Sequence, residues 1–237
     1  MSAVKKELQK GANPEKAAFF PSFFKTGKGQ YGEGDMFIGA TVPYQRSVAR
    51  MFAHLPLAET KKLLYSKIHE HRLTALLILV RQFTTTTDRD MREKLATFYV
   101  DNMHRINNWD LVDLTAPNIL GTYLLDKKRD ILYKLAQSKN LWEKRIAIIS
   151  TYSFIRQSDF KETLAIAEIL LADTEDLIHK AVGWMLREIG KRNQKVEEDF
   201  LKKFYKIMPR TMLRYAIERF SEDKRKFFLD KSHSGKR

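Results

Sequence analysis

Glycine and proline, the residues that interrupt helices, are scarce in this chain and crowded near one end of it. Five of the ten glycines (Gly27, Gly29, Gly32, Gly34 and Gly39) fall within thirteen residues, and beyond Pro43 only Gly121, Gly183, Gly190 and Gly235 remain. That distribution leaves room for one irregular loop followed by a long helical body. The body carries apolar residues at helical spacing. Leu73, Leu76, Leu77 and Val80 form one stripe, Leu141, Ile148, Ile149 and Tyr152 another, and Leu164, Ala167, Ile169 and Leu171 a third. Asp88 and Asp159 suit helix N-caps, Pro117 and Pro209 helix starts, and Gly190 a helix end. No run alternates polar with β-branched apolar residues. The expected fold is all-α, of roughly twelve to fourteen helices, with Lys25 to Asp35 as the one looped or extended excursion.

A basic residue closely followed by alanine and then by apolar residues recurs at Arg72–Ala75, Arg145–Ala147, Lys180–Ala181 and Arg214–Ala216. The alanines lie 72, 34 and 35 residues apart, one double and two single steps of a period near ~36 residues, with the missing copy near Leu111. Alanine is common in helices, so the match admits coincidence. Read as a repeat, it predicts an α-solenoid, an α–α superhelix in which small residues let helices approach closely and basic residues line one concave face. A single solenoid domain is expected over 1–237, with the glycine-rich insert at 25–39 and a basic tail at 224–237 that frays into solvent.

With 43 Lys+Arg against 29 Asp+Glu the formal charge is +14, and 43% hydrophobic residues suffice for a substantial core. A field of that sign takes nucleic acid, anionic membrane or acidic protein as partner. The absence of cysteine excludes a disulfide framework, thiolate-bound zinc, iron–sulfur clusters and a cysteine nucleophile. The longest apolar run, Leu73 to Val80, is far short of the ~20 residues of a membrane span. Met1 to Lys10 holds three lysines and no apolar block of signal-peptide length. A soluble, cytoplasmic protein that needs neither membrane nor metal is expected, with DNA as partner.

Asn107 to Asp113 is the most informative stretch. On a helix Trp109 and Asp113 are i and i+4 and face the same way. An indole beside a carboxylate suits a cationic ligand; the same spacing also fits a buried tryptophan with acids near a helix N-terminus, where they are favoured. Trp142 with Arg145, and Lys180 with Trp184 and Arg187, repeat the pairing of indole and charge. All three tryptophans thus share a helical face with a charged residue, a pattern that suits a polar, aromatic groove binding phosphates and bases. Gly27 to Gly32 matches G-x-G-x-x-G but has no strand before it and no βαβ unit around it, so the dinucleotide reading fails. A plain flexible loop, or one whose amides and Lys25 and Lys28 touch phosphate, remain. His69-Glu70-His71 places its histidines at i and i+2, where they diverge, against a metal site.

Several of these strings, taken in order, resemble the AlkD-like DNA glycosylases, HEAT-like-repeat DNA alkylation repair enzymes. They are Trp109-Asp110-Leu111-Val112-Asp113, Leu141 to Arg145, Lys180 to Glu188, and Phe37 to Pro43 followed by Arg46. The similarity runs from about residue 15 to residue 220. The resemblance implies a C-shaped solenoid cradling duplex DNA and excising cationic N3- or N7-alkylated purines, as a monomer and without a cofactor. It makes Asp113 the catalytic carboxylate, Trp109 and Trp184 the aromatic pair flanking the lesion, and Arg145 a phosphate contact. Lys25, Lys28, Arg46, Trp142, Lys144, Lys180 and Arg187 are the expected DNA-binding residues. An alkylated purine is already a good leaving group, so the carboxylate has only to stabilise a sugar acquiring oxocarbenium character and to assist a water. The family is thought to act without enclosing the base, and no pocket motif is evident. The insert departs from the characterised glycosylase and suggests a divergent branch. It keeps two other readings open: a non-catalytic protein of the same superfamily that selects branched DNA, and a solenoid adaptor holding an acidic peptide.

Overall fold

The computed structural model describes residues 1–230, and among them the chain is all-helical. It has fifteen α-helices joined by short turns and no strand, only one isolated parallel bridge between Met36 and Ile68. The α–α superhelical repeat class is the one the periodicity predicts. The chain divides into two compact units, 1–123 and 124–237. No helix among the described residues is long and apolar enough to cross a membrane.

The first unit holds α1 (Ser2–Lys10), α2 (Pro14–Phe23), α3 (Val42–Met51), α4 (Leu57–Leu64), α5 (His69–Thr85), α6 (Arg89–Asp101) and the single-turn α7 (Trp109–Asp113). Local chemistry sets the starts. Asn13 accepts the Lys16 amide at 2.9 Å ahead of Pro14 at the first helical position, and Asp88 caps α6 by accepting from Asp90 and Met91. The hub is α5. Every residue from His69 to Leu79 is buried, polar ones included, so its first three turns show no single stripe but contacts all round, against α3, α4, α6 and α7.

The second unit holds α8 (Asp130–Ala136), α9 (Leu141–Ser150), α10 (Tyr152–Ile155), α11 (Lys161–Ile169), α12 (Asp176–Gly190), α13 (Gln194–Phe204), α14 (Arg210–Ala216) and α15 (Glu222–Leu229). Here α12 is central and packs on α9, α13 and α14. The repeated alanines Ala75, Ala147, Ala181 and Ala216 lie on α5, α9, α12 and α14 and are completely buried, as is Leu111 where the fifth copy was expected. The closest approach is made by a glycine. A Cβ on Gly183 would stand 2.4 Å from the Met212 carbonyl oxygen and 2.5 Å from the Tyr215 Cβ, so the spacing of α12 and α14 needs a bare Cα.

Three local expectations are corrected. Asp159 does not cap α11 by bonding two amides; its carboxylate pairs with Arg129 at 2.6 Å, because a buried guanidinium nearby is the stronger partner. On α11 the buried face is Thr163, Ile166, Ala167 and Leu170, and Ile169 is exposed. The basic tail is helical as far as Leu229, because Phe228 is drawn into the unit's core; residues 231–237 lie outside the described ones.

Gly183→Ala separates packing from propensity. Alanine gains up to about 1 kcal/mol of helix propensity, whereas forcing α12 from α14 costs about 1–3 kcal/mol. A lower melting temperature is expected, and a higher one would show that the two helices have room to spare.

Candidate active site

The helix α7 is one turn long and stands on a buried asparagine. The Asn108 carboxamide accepts the Trp109 amide at 2.8 Å, which starts the turn and fixes the direction of the indole. Trp109 and Asp113 are both half-buried and both line one cavity of about 340 Å³ within the first unit. Its walls are mostly aromatic. Phe24 stacks on Trp109 with centroids 5.5 Å apart and on Phe37 at 5.2 Å, and Phe23 meets Trp109 edge-on at 5.8 Å. Glu70, Asp110 and Asp113 are the carboxylates of the lining, and among the described residues it holds neither lysine nor arginine.

Beneath the rings lies a buried ionic network. His69 opens α5 and sits 4.8 Å from the Phe24 ring and 5.0 Å from Phe37. Its Nδ1 donates to Asp35 at 2.9 Å and its Nε2 to Asp110 at 2.8 Å, a pair of bonds only the imidazolium makes. Burial alone would lower its pKa, but the charge and hydrogen bond of Asp110 and the hydrogen bond of Asp35 prevail and push it up to about 9. Arg72, one turn on, grips both oxygens of Asp35 at 2.7 and 2.8 Å. Burial would raise the Asp35 carboxyl; the His69 hydrogen bond and the Arg72 charge hold it below its ordinary range instead. Glu70 faces the other way. Burial pushes its pKa up, and it accepts the amides of Ile38 and Gly39, the latter at 2.7 Å.

Asp35 belongs to the glycine-rich insert, which is a stack of tight turns rather than an open loop. Gly32 donates to the Lys25 carbonyl, Gln30 to Gly27 and Asp35 to Gly32, all near 3.0 Å. A Cβ on Gly32 would fall 2.5 Å from the Phe24 carbonyl oxygen. The segment closes on itself so that its two flanking rings, Phe24 and Phe37, stack, and Asp35 is carried under them. Met36 and Ile68 then pair, with the His69 amide donating to the Met36 carbonyl at 2.8 Å.

Trp109 and Asp113 are thus brought together. Lys25, Lys28 and Arg46 are exposed on the same unit. The remaining expected residues belong to the second unit. Trp142 and Arg145, expected at a nucleic-acid face, are buried, and the Arg145 guanidinium donates to the Leu177 carbonyl. Lys144 pairs with Asp173, Lys180 with Asp176 at 2.8 Å, and Arg187 with Glu218. Trp184 is half-buried, its indole donating to Glu188 at 3.1 Å. The sequence reasoning missed the phenylalanines, Asp35 and His69. Their one signal was the aromatic density around the insert, Phe19-Phe20, Phe23-Phe24 and Phe37. The divergence of His69 and His71 was anticipated: His71 bonds Ser66 instead.

A family model described as "DNA alkylation repair enzyme" matches residues 4–220. A solved structure described as a predicted DNA alkylation repair enzyme from Enterococcus faecalis superposes with a TM-score of 0.71, covering 89% of this chain and 97% of that one at 17% identity. No curated protein matches the sequence significantly.

The His69 network ties stability to pH. Its folded pKa is raised from 6.5 to about 9, so the imidazolium's contribution is complete below about pH 6.5 and is lost as pH climbs through about 9. Its size is on the order of 3 kcal/mol. The melting temperature is expected to fall between pH 7 and pH 10, and His69→Gln to melt lower at pH 7 with a flatter profile. Parallel profiles for the two proteins would contradict the linkage.

Proposed function

Since this chain belongs to the DNA alkylation repair enzyme family, we propose that it is a monofunctional DNA glycosylase. It hydrolyses the N-glycosidic bond of cationic N3- or N7-alkylated purines in duplex DNA. One observation carries the reading: a carboxylate, Asp113, and an indole, Trp109, share a cavity walled by aromatic rings and acids in a protein of formal charge +14.

An alkylated purine leaves as a neutral base, so no acid need protonate it. As the bond lengthens, positive charge moves from the base to the sugar. Asp113 supplies the opposing charge and accepts the proton of the attacking water. Ring faces add cation–π stabilisation, worth about 2 kcal/mol where water is excluded. The low polarity of the cavity strengthens both effects. The exposed Lys25, Lys28 and Arg46 hold phosphates, which position the duplex without reading its sequence. Roles for Arg145 at phosphate and for Trp184 beside the lesion are carried by the resemblance of their helices to the family's motifs.

Release of 7-methylguanine from methylated duplex tests this reading. Asp113→Asn is expected to lower the single-turnover rate roughly 100-fold or more with little change in DNA affinity. Equal release by both proteins, or none above the spontaneous rate, would reject it. Each phosphate contact adds about 0.9 to the slope of log affinity against log salt. Replacing Lys25, Lys28 and Arg46 together by alanine is therefore expected to make the slope shallower by about 2.7. An unchanged slope would remove these residues from the interface.

A further inference from the structure

We propose that the aromatic cavity of the first unit encloses the modified base itself, so that the lesion is drawn out of the duplex stack before its bond breaks. The inference rests on the glycosylase reading and names what occupies the site.

Size, shape and charge agree. A cavity of about 340 Å³ lies at the lower end of the ~300–1,000 Å³ range of small-molecule sites and suits one purine ring system. Phe24, Phe37 and Trp109 offer rings to a flat aromatic ligand, and their stacking on one another holds them in place before the ligand arrives. The sign of the charge is the sharper argument. The protein carries +14, yet no lysine or arginine among the described residues lines this cavity, while Glu70, Asp110 and Asp113 do. Asp110 is matched by His69, whose other partner Asp35 is matched by Arg72; the network is balanced, and Glu70 and Asp113 remain as acids of the wall. Phosphate is therefore repelled from the cavity, and a planar cation is drawn in.

The insert makes the enclosure. Phe24 and Phe37 flank it, and its Asp35 is locked beneath them by His69 and Arg72, all with side chains at most 4% exposed. Phe23 is 47% exposed although it lines the cavity, and Phe19, one turn back on α2, is 58% exposed. Such apolar rings at a cavity mouth suit the gap left by a base that leaves its stack.

Two measurements on the full chain test the enclosure separately from catalysis. The first titrates 7-methylguanosine and guanosine at mildly acidic pH, where the methylated ring is cationic, and follows tryptophan emission. Saturable binding of the methylated nucleoside about tenfold tighter than guanosine is expected, and Phe37→Leu and Phe24→Leu, checked for a wild-type helical signal, should lose that preference. Equal affinities, or no saturable binding of either, overturn the proposal without any reliance on a variant. The second compares excision of 7-methylguanine with that of guanine bearing a bulky polycyclic N7 substituent. A closed cavity predicts at least a 100-fold slower release of the bulky base. Equal rates overturn the enclosure and leave the glycosylase standing. Selective nucleoside binding without any excision supports the cavity and defeats the glycosylase.

Discussion

A dry salt bridge chain, Arg72 to Asp35 to His69 to Asp110, is the constraint on which the rest of the first unit depends. Its four charges cancel, and every side chain in it is at most 6% exposed. Such a network contributes little net stability compared with apolar packing, but removing one member strands an uncompensated charge in the interior. Its effect is geometric. It joins three pieces that are distant in sequence: the insert through Asp35, α5 through His69 and Arg72, and α7 through Asp110. Trp109 and Asp113 flank Asp110 on the same short helix, so their placement is inherited from a histidine forty residues earlier in the chain.

Two electrostatic scales coexist in this protein. At long range the excess of lysine and arginine favours a polyanion and speeds its approach. At short range the first unit has a cavity of the opposite character, with acids and π-faces and no basic residue in its described lining. The two together discriminate. Backbone phosphates are held outside, where Lys25, Lys28 and Arg46 are exposed, and the one component of damaged DNA that carries positive charge is favoured within. Neutral bases gain only the stacking part of that attraction. Selection for alkylated purines then follows from the charge of the damage rather than from hydrogen bonds to a particular base.

How much of this was legible in the sequence depended on whether the cause was local. Helix existence was legible because breakers are few and the period is regular, and caps such as Asp88 read correctly because they act on the next two or three amides. The buried alanines of the repeat were visible as a spacing. The cavity was not, because its walls come from α2, the insert, α5 and α7, and no string of residues announces that Phe24 and Phe37 stack across twelve intervening positions. Asp159 misled because a cap competes with any strong cation nearby, and Arg129 is visible only in three dimensions. The pairing of Trp109 with Asp113 was read from spacing alone, since i and i+4 share a face on any helix. Trp142 shows the weakness of that rule: a shared face says nothing about whether the face meets solvent, and Trp142 is 9% exposed.

The account stands or falls on whether Trp109 meets the positive base. Trp142→Phe and Trp184→Phe together leave Trp109 as the sole emitter among the three tryptophans. Titrated with a duplex holding one 7-methylguanine on a hydrolysis-resistant, 2′-fluorinated sugar, that protein should lose much of its emission, and far more than with the unmodified duplex. Identical emission with both duplexes, at concentrations where each is bound, would contradict it.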